Sequence, residues 1–319
     1  MAEPIFSIIA PIFNEIQSIP ELYRRVYEVM DSISEPWELI LVDDGSTDGS
    51  TGVIRELAEH DNRLRPVIFA RNFGHQLAVT AGLDYSRGQA DVIIDADLQD
   101  PPEVILELIA KWREGYEVVY AVRTDREGES WFKLVTASVF YRLIYRITDV
   151  DIPMDTGDFR LLDRKAVNVL NSMRERHRFL RGMSVWIGFK QVGVSYSRAA
   201  RTAGETKYPF KKMFKFALDA VTSFSYFPLQ VATYFGFFLA GISLLAIPIV
   251  IATRLAGSQA FFGQATTLIA VLFLGGVQLI SLGILGEYIG RLYDEAKGRP
   301  LYIVREAPDD QFFSHPRGE

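Results

Sequence analysis

The chain has no cysteine among its 319 residues, which excludes disulfides and thiolate metal sites. It also has two stretches without any charge. No charged residue occurs from Ala220 to Thr253, or from Leu255 to Gly286, and Arg254 alone separates the two runs. Each run exceeds the roughly 20 residues that cross a bilayer core as a helix. A buried helical hairpin in a soluble protein is the alternative, but runs of this length outstrip ordinary core helices. An overall basic charge is missing too: the formal net charge is −6, so nucleic acid is not an expected partner. The start, MAEPIFSIIAPIFNE, lacks the basic segment and cleavage site of a signal peptide. Nothing in it directs the residues ahead of the first run out of the cytosol. There is no internal repeat and no low-complexity segment.

What is present first is an alternation of short apolar runs and amphipathic stretches. Phe6–Ile12, Glu38–Val42, Val67–Ala70, Asp91–Asp95 and Glu117–Val122 read as strands. Between them, helices are predicted over Ile19–Ile33 with Ser18 as N-cap, Val53–Glu59 capped by Asp48, Gln76–Ser86, and Pro101–Arg113. Strands alternating with helices imply an α/β fold on a mostly parallel sheet, and the unbroken apolar character of the strands implies burial on both faces. Asp155–Arg164 reads as a turn and short strand, and Lys190–Ser197 as another strand.

Two stretches have a different character. In Trp131–Ile147, Phe132, Val135, Val139, Phe140, Leu143 and Ile147 fall at helical spacing, with Lys133, Arg142 and Arg146 off that stripe. In Pro209–Phe224, Phe210, Phe214, Leu218 and Val221 lie opposite Lys211, Lys212 and Lys215. Each is either a helix packed on the sheet or an amphipathic helix lying in a membrane interface; adjacent apolar runs and basic residues beside aromatics favour the interface. Lys207, Lys211, Lys212 and Lys215 precede the first apolar run, and Arg291, Lys297 and Arg299 follow the second. The positive-inside rule then puts both termini in the cytoplasm. His75 and His177 show no metal-ligand spacing and read as structural.

Acidic residues cluster at the ends of three predicted strands: Glu15 after the first, Asp43–Asp44 in VDDGSTDGS after the second, and Asp95 and Asp97 in IIDADLQDPPE after the fourth. In an open parallel sheet, ligands bind beyond the carboxyl ends of the strands. A lone Asp-x-Asp says little, and Asp-Asp-Gly-Ser alone is explained by a turn and a helix cap. The ordered set is far more specific. Carboxylates suit ribose hydroxyls and base N–H groups, and they suit Mg²⁺ or Mn²⁺, which prefer oxygen ligands and take few from the protein.

These segments are APIFNE, VDDGSTDGS, RNFGHQ, DADLQDPPE, TGDFRLLDR and Arg198-x-x-Arg201-x-x-Gly204-x-x-Lys207-Tyr208 ahead of two apolar runs. The chain resembles, over nearly its whole length, the family-2 glycosyltransferases of GT-A fold. Within them it is similar to the polyprenyl-phosphate glycosyltransferases, including bactoprenol glucosyltransferases and dolichyl-phosphate mannose synthases. The resemblance implies a nucleotide-sugar donor, Mg²⁺ or Mn²⁺, and inversion at the anomeric carbon. It implies that Pro11, Phe13, Glu15 and Asp43 hold base and ribose, and that Asp95 and Ala96 line the nucleotide. Asp97, Gln99 and Asp95 would hold the metal. Arg123, Arg198, Arg201 and Lys207 would face phosphates, and Asp158 would be the acceptor-side carboxylate, so Asp158, Arg123 and Arg201 form the expected catalytic set. The chain lacks the Gln-x-x-Arg-Trp of processive polysaccharide synthases and has too few apolar runs for a translocation channel, which favours a single transfer.

Acceptor chemistry sharpens this expectation. A phosphate monoester has a second pKa of about 6 and is largely dianionic at neutral pH. It needs charge screening from arginines more than it needs a base. Asp158 then orients the acceptor or balances positive charge at the sugar. The expected organisation is a GT-A domain over 1–208 containing an interfacial helix at 131–147, a second interfacial helix at 209–225, two transmembrane helices within 226–291, and a cytoplasmic tail at 292–319. The expected reaction moves glucose, favoured by resemblance alone, from UDP to undecaprenyl phosphate. Mannose from GDP, or an aminosugar from UDP, is the rival within enzymes. A catalytically dead scaffold for a lipid-sugar flippase is the rival outside them. Gly275–Gly276 and Gly283 permit close helix contact, so a homo-oligomer is allowed and not required.

Overall fold

The first two strands show why the sheet forms. β1 (Phe6–Ile12) and β2 (Trp37–Asp43) are buried at every position, as expected for strands covered on both faces. The computed structural model describes residues 3–123, 156–197, 227–256 and 264–308. The expected interfacial helices at 131–147 and 209–225, the residues Arg198, Arg201 and Lys207, and the connection around Ser258 lie outside them.

The elements that follow are α1 (Ile19–Asp31), α2 (Ser50–His60), β3 (Leu64–Phe69), α3 (His75–Tyr85) and β4 (Ala90–Ile93). After β4, a 3₁₀ turn (Pro102–Val104) leads into α4 (Ile105–Arg113), then β5 (Val118–Arg123) and β6 (Thr156–Asp163). Next come α5 (Arg164–Ser172), α6 (Leu180–Trp186) and β7 (Gln191–Tyr196), followed by two long helices, α7 (Phe227–Leu255) and α8 (Gln264–Ala296), and a last strand, β8 (Val304–Glu306). The chain forms two units, one holding the sheet and one holding the long helices.

The sheet order is β7-β5-β6-β4-β1-β2-β3-β8. The α/β expectation holds, and β4-β1-β2-β3 is parallel throughout. β6 departs from the mostly parallel expectation by running antiparallel to both β4 and β5, and β8 is antiparallel to β3. The chain winds from β1 to β3 on one side and then crosses back to β4 on the other. That reversal opens a crevice at the carboxyl ends of β1 and β4, where open α/β sheets bind ligands. Because β6 is antiparallel, its beginning faces the end of β4, with Ile93 opposite Arg160. Asp95, two residues after Ile93, and Asp158, two residues before Arg160, are thereby brought to the same edge.

Local deviations have local causes. α1 stops at Asp31, short of the predicted Ile33, where the Ser32 hydroxyl donates to the Val29 carbonyl at 2.6 Å and competes with continuation of the helix. Ser18 does precede α1, but its hydroxyl donates back to Glu15 and makes no cap to the helix. The residue preceding α2 is Gly49, while Asp48 accepts from the Ser50 N–H and hydroxyl.

β8 lies in the stretch expected to be a plain tail. Val304 pairs with Phe69 and Glu306 with Ile68. Tyr302 stacks on Phe69 with centroids 5.0 Å apart and donates its hydroxyl to Asp84 at 2.6 Å. In the other unit, α7 and α8 pack on each other. Each contains a segment long and apolar enough to cross a membrane, Phe227–Ala246 and Phe273–Ala296, and their large apolar side chains are exposed.

Candidate active site

The first two motif segments bind each other through main chain and short side chains. Asn14, at φ 56°, donates its N–H to the Ser46 hydroxyl at 2.9 Å, and its side-chain oxygen accepts from Thr47 N–H at 2.8 Å. Glu15 N–H reaches Ser50 Oγ at 3.1 Å and Ile16 N–H reaches Asp48 at 3.1 Å. Asp43 accepts from Ser46 N–H at 2.9 Å and from the Thr51 hydroxyl. Asp44 reaches across to the next loop and accepts from Phe73 N–H at 2.6 Å and Gly74 N–H. These are turn-forming residues satisfying the backbone groups that strand ends leave unpaired.

The loops they brace surround a cleft of about 570 Å³, with Asp43, Thr51, Phe69, Arg71 and Arg305 among its walls and Phe13 half-exposed at its rim. Pro11 is buried in β1, and Glu15 is held by Ser18 at 2.8 Å. Gly45 lines the cleft at a position that favours glycine. It sits at φ +70°, and a Cβ there would lie 2.5 Å from the Arg71 backbone carbon. Gly45→Ala is expected to cost about 1–3 kcal/mol from strain alone, measurable as a lowered denaturation midpoint.

The second half of the site is acidic. Asp95 and Asp97 leave the end of β4, with Ala96 buried between them. Asp97 accepts from Gln99 N–H at 3.1 Å across Leu98, which adopts φ 59°. Asp158, 6% exposed, is engaged on both oxygens: Arg181 Nε donates to one at 2.8 Å, while His75 Nε2 and Gln76 Nε2 lie 3.1 Å from the other. His75 is also 3.7 Å from Asp95. Burial opposes the charge on Asp158, but Arg181 and His75 overcome it and hold the carboxyl well below the usual carboxylate range. Burial, reinforced by the charges of Asp158, Asp100 and Asp97 and eased by His75, pushes Asp95 up to about 6.

The structure thus brings Asp95, Asp97, Gln99 and Asp158 to one edge of the sheet. Arg123, at the end of β5, donates to the Tyr196 hydroxyl at 3.2 Å, and its guanidinium lies 3.7 Å from buried Asp100, which accepts from the same hydroxyl. Gly157 makes room for it, since a Cβ there would stand 2.7 Å from the Arg123 guanidinium. His75, read from the sequence as structural, is a partner of Asp158, and burial is outweighed by the neighbouring carboxylates so that its pKa is raised. The signal was its place inside RNFGHQ. Arg181 was missed altogether, and HRFLRGMS carries no pattern that marks it.

Among the described residues, no three His, Asp or Glu side chains are placed to hold a metal by themselves. The crowded carboxylates instead suit a cation that takes one or two of them and completes its shell with substrate oxygens and water.

The glycosyl transferase family 2 model matches residues 7–170, and the GtrB C-terminal hairpin model matches 227–292. The glycosyltransferase YkcC of Bacillus subtilis is 52% identical over 302 residues, covering 95% of this chain and 94% of its own. The SfII prophage-derived bactoprenol glucosyl transferase of Shigella flexneri is 42% identical over 301 residues, covering 94% and 97%. Among solved structures, a mannosyltransferase of Pyrobaculum calidifontis aligns over 92% of this chain and 85% of its own at 18% identity and a TM-score of 0.45, too loose a likeness to inform the site. The chain belongs to glycosyl transferase family 2: it is a glycosyltransferase whose GT-A catalytic domain is followed by a GtrB C-terminal hairpin.

Proposed function

We propose that this enzyme transfers glucose from UDP-glucose to polyprenyl phosphate at the cytoplasmic membrane face, with inversion. The observation that carries the reading is the pairing of an Asp158 held ionised beside Asp95 with a nucleoside-sized cleft, in a chain 42% identical to a bactoprenol glucosyl transferase. A phosphate oxygen of the acceptor attacks the anomeric carbon as the bond from that carbon to the β-phosphate oxygen breaks, and UDP leaves with the electron pair. A carboxylate gripped by Arg181, His75 and Gln76 is a poor base, and a phosphate dianion needs none. Asp158 therefore keeps His75 and Arg181 in place and sets negative charge near the sugar as positive charge develops.

The cleft takes the nucleoside, with Asp43 and Phe13 against base and ribose. Asp97 and Asp95, with Gln99 beside them, would hold Mg²⁺ or Mn²⁺, which bound there would offset charge on the departing diphosphate. Arg198, Arg201 and Lys207 are assigned to phosphates by the resemblance, Arg201 to that of the acceptor. The two membrane-length helices anchor the catalytic domain where a lipid phosphate is presented.

The test is a panel of labelled nucleotide sugars offered to the purified full-length protein with undecaprenyl phosphate. UDP-glucose should give a labelled lipid. Label from GDP-mannose or a UDP-aminosugar instead would reassign the donor, and no lipid product from any donor would overturn the reading. Topology is checked independently, because a chain without cysteine gives unambiguous labelling of a single introduced one. A Ser258→Cys variant should react with an impermeant maleimide only from the non-cytoplasmic side; reaction only from the cytoplasm would sink the hairpin orientation.

A further inference from the structure

Among the described residues, the wall of the nucleoside cleft contains one from far along the chain. Arg305 follows both long helices in sequence, yet it lines the same cleft as Asp43, Thr51 and Phe69. β8 puts it there. Its flanking residues pair with Phe69 and Ile68 in the sheet, Ala70 N–H donates to the Ile303 carbonyl at 2.9 Å, and Glu306 forms a bidentate ion pair with Arg55 on α2. Below it, Tyr302 is fixed by its stack on Phe69 and its bond to Asp84. The Arg305 side chain is therefore presented from a well-anchored strand.

Its own contact is modest. Arg305 Nη2 donates to the Ala70 carbonyl at 3.0 Å, at the point where β3 ends and the cleft begins. A guanidinium has five N–H donors in a fixed fork, and this bond takes one of them. Arg71 also lines the cleft, but its guanidinium is stacked 4.2 Å from the Phe73 ring centroid and donates to the Asn72 carbonyl. Among the described residues the cleft also offers Asp43 as an acceptor, an aromatic floor, and the neutral donors of Ser46, Thr47, Thr51 and Asn72, of which Thr51 is already committed to Asp43. A nucleobase edge carries carbonyl acceptors beside a ring N–H donor, so a complementary site needs a donor next to its carboxylate. Arg305 supplies one.

We propose that Arg305, returned to the sheet by β8, is a donor-binding residue that hydrogen-bonds a carbonyl of the nucleobase. The proposal rests on reading the cleft as the nucleotide-sugar site. It makes the segment behind the hairpin part of the substrate site.

Calorimetry with UDP on the full-length protein tests it. Arg305→Ala should weaken UDP binding about tenfold, the loss of one charge-assisted hydrogen bond, and uridine, measured as a competitor of transfer, should weaken by the same factor. Glu306→Gln, which breaks the exposed Arg55 pair on the same strand without facing the cleft, should change UDP affinity by no more than about twofold. Equal weakening by Glu306→Gln would show that β8 acts only by docking, and a loss for UDP without one for uridine would place Arg305 on the diphosphate; either overturns the proposal. Asp43→Asn separates it from the reading beneath: if Asp43→Asn weakens UDP and Arg305→Ala does not, only Arg305 is wrong. If neither does, the cleft is not the donor site.

Discussion

Asp97→Asn is expected to leave the fold intact and remove most turnover, on the order of a thousandfold. The residue sits on a loop beyond β4, partly exposed, and its bond from Gln99 N–H can be accepted by the amide oxygen of asparagine. What asparagine lacks is the charge. In the proposed mechanism Asp97 holds the divalent ion that offsets charge on the departing diphosphate, a contribution of several kcal/mol to the transition state, and each 1.36 kcal/mol is about tenfold in rate. The checks are an unchanged melting temperature and transfer rates over a titration of Mg²⁺ or Mn²⁺. Near-normal rates at limiting metal would remove Asp97 from the metal site.

The second large effect concerns stability. Arg181→Met leaves Asp158 buried with one of its two carboxylate oxygens stripped of its charged partner, and breaking a buried ion pair costs on the order of 3 kcal/mol. The pH dependence has a definite sign. The folded-state pKa of Asp158 is depressed, so its stabilisation is fully present above the ordinary carboxylate range, about 4, and is lost as pH falls through the lower folded value. The gap between the parent protein and Arg181→Met should therefore be widest above about pH 4 and shrink below it. Adding Asp158→Asn to Arg181→Met should restore part of the loss, since the orphaned charge goes too. If the double variant is as unstable as the two losses added together, the ion pair is not what holds this corner.

Much of the catalytic sheet was legible because its strands are short, continuous apolar runs and its acidic residues fall directly after them. Phe6–Ile12 was read to the residue, and Asp43, Asp95 and Asp97 follow from position alone. Direction was not legible. Nothing in TGDFRLLD says that β6 enters antiparallel, and that reversal is what sets Asp158 beside Asp95. His75 and Arg181 stayed hidden because their roles exist only through Asp158, which lies distant in sequence from His75 and in a different element from Arg181. β8 was hidden for another reason: Val304–Glu306 is short and mostly polar, and it becomes a strand only because β3 offers an edge. The two long helices needed no tertiary information, since length without charge is a local property.

β8 also bears on how the protein is made. Translation delivers the acidic motifs first, then the two apolar helices, and only afterwards the strand that completes the sheet. Until Leu301–Glu306 emerges, β3 is a bare edge at Ile68 and Phe69, two of the residues that line the cleft. A nascent chain halted before that point carries every carboxylate of the site yet leaves the cleft open on one side and an unpaired strand available to neighbours. The Arg305 wall of the cleft thus arrives only after both long helices have been synthesised.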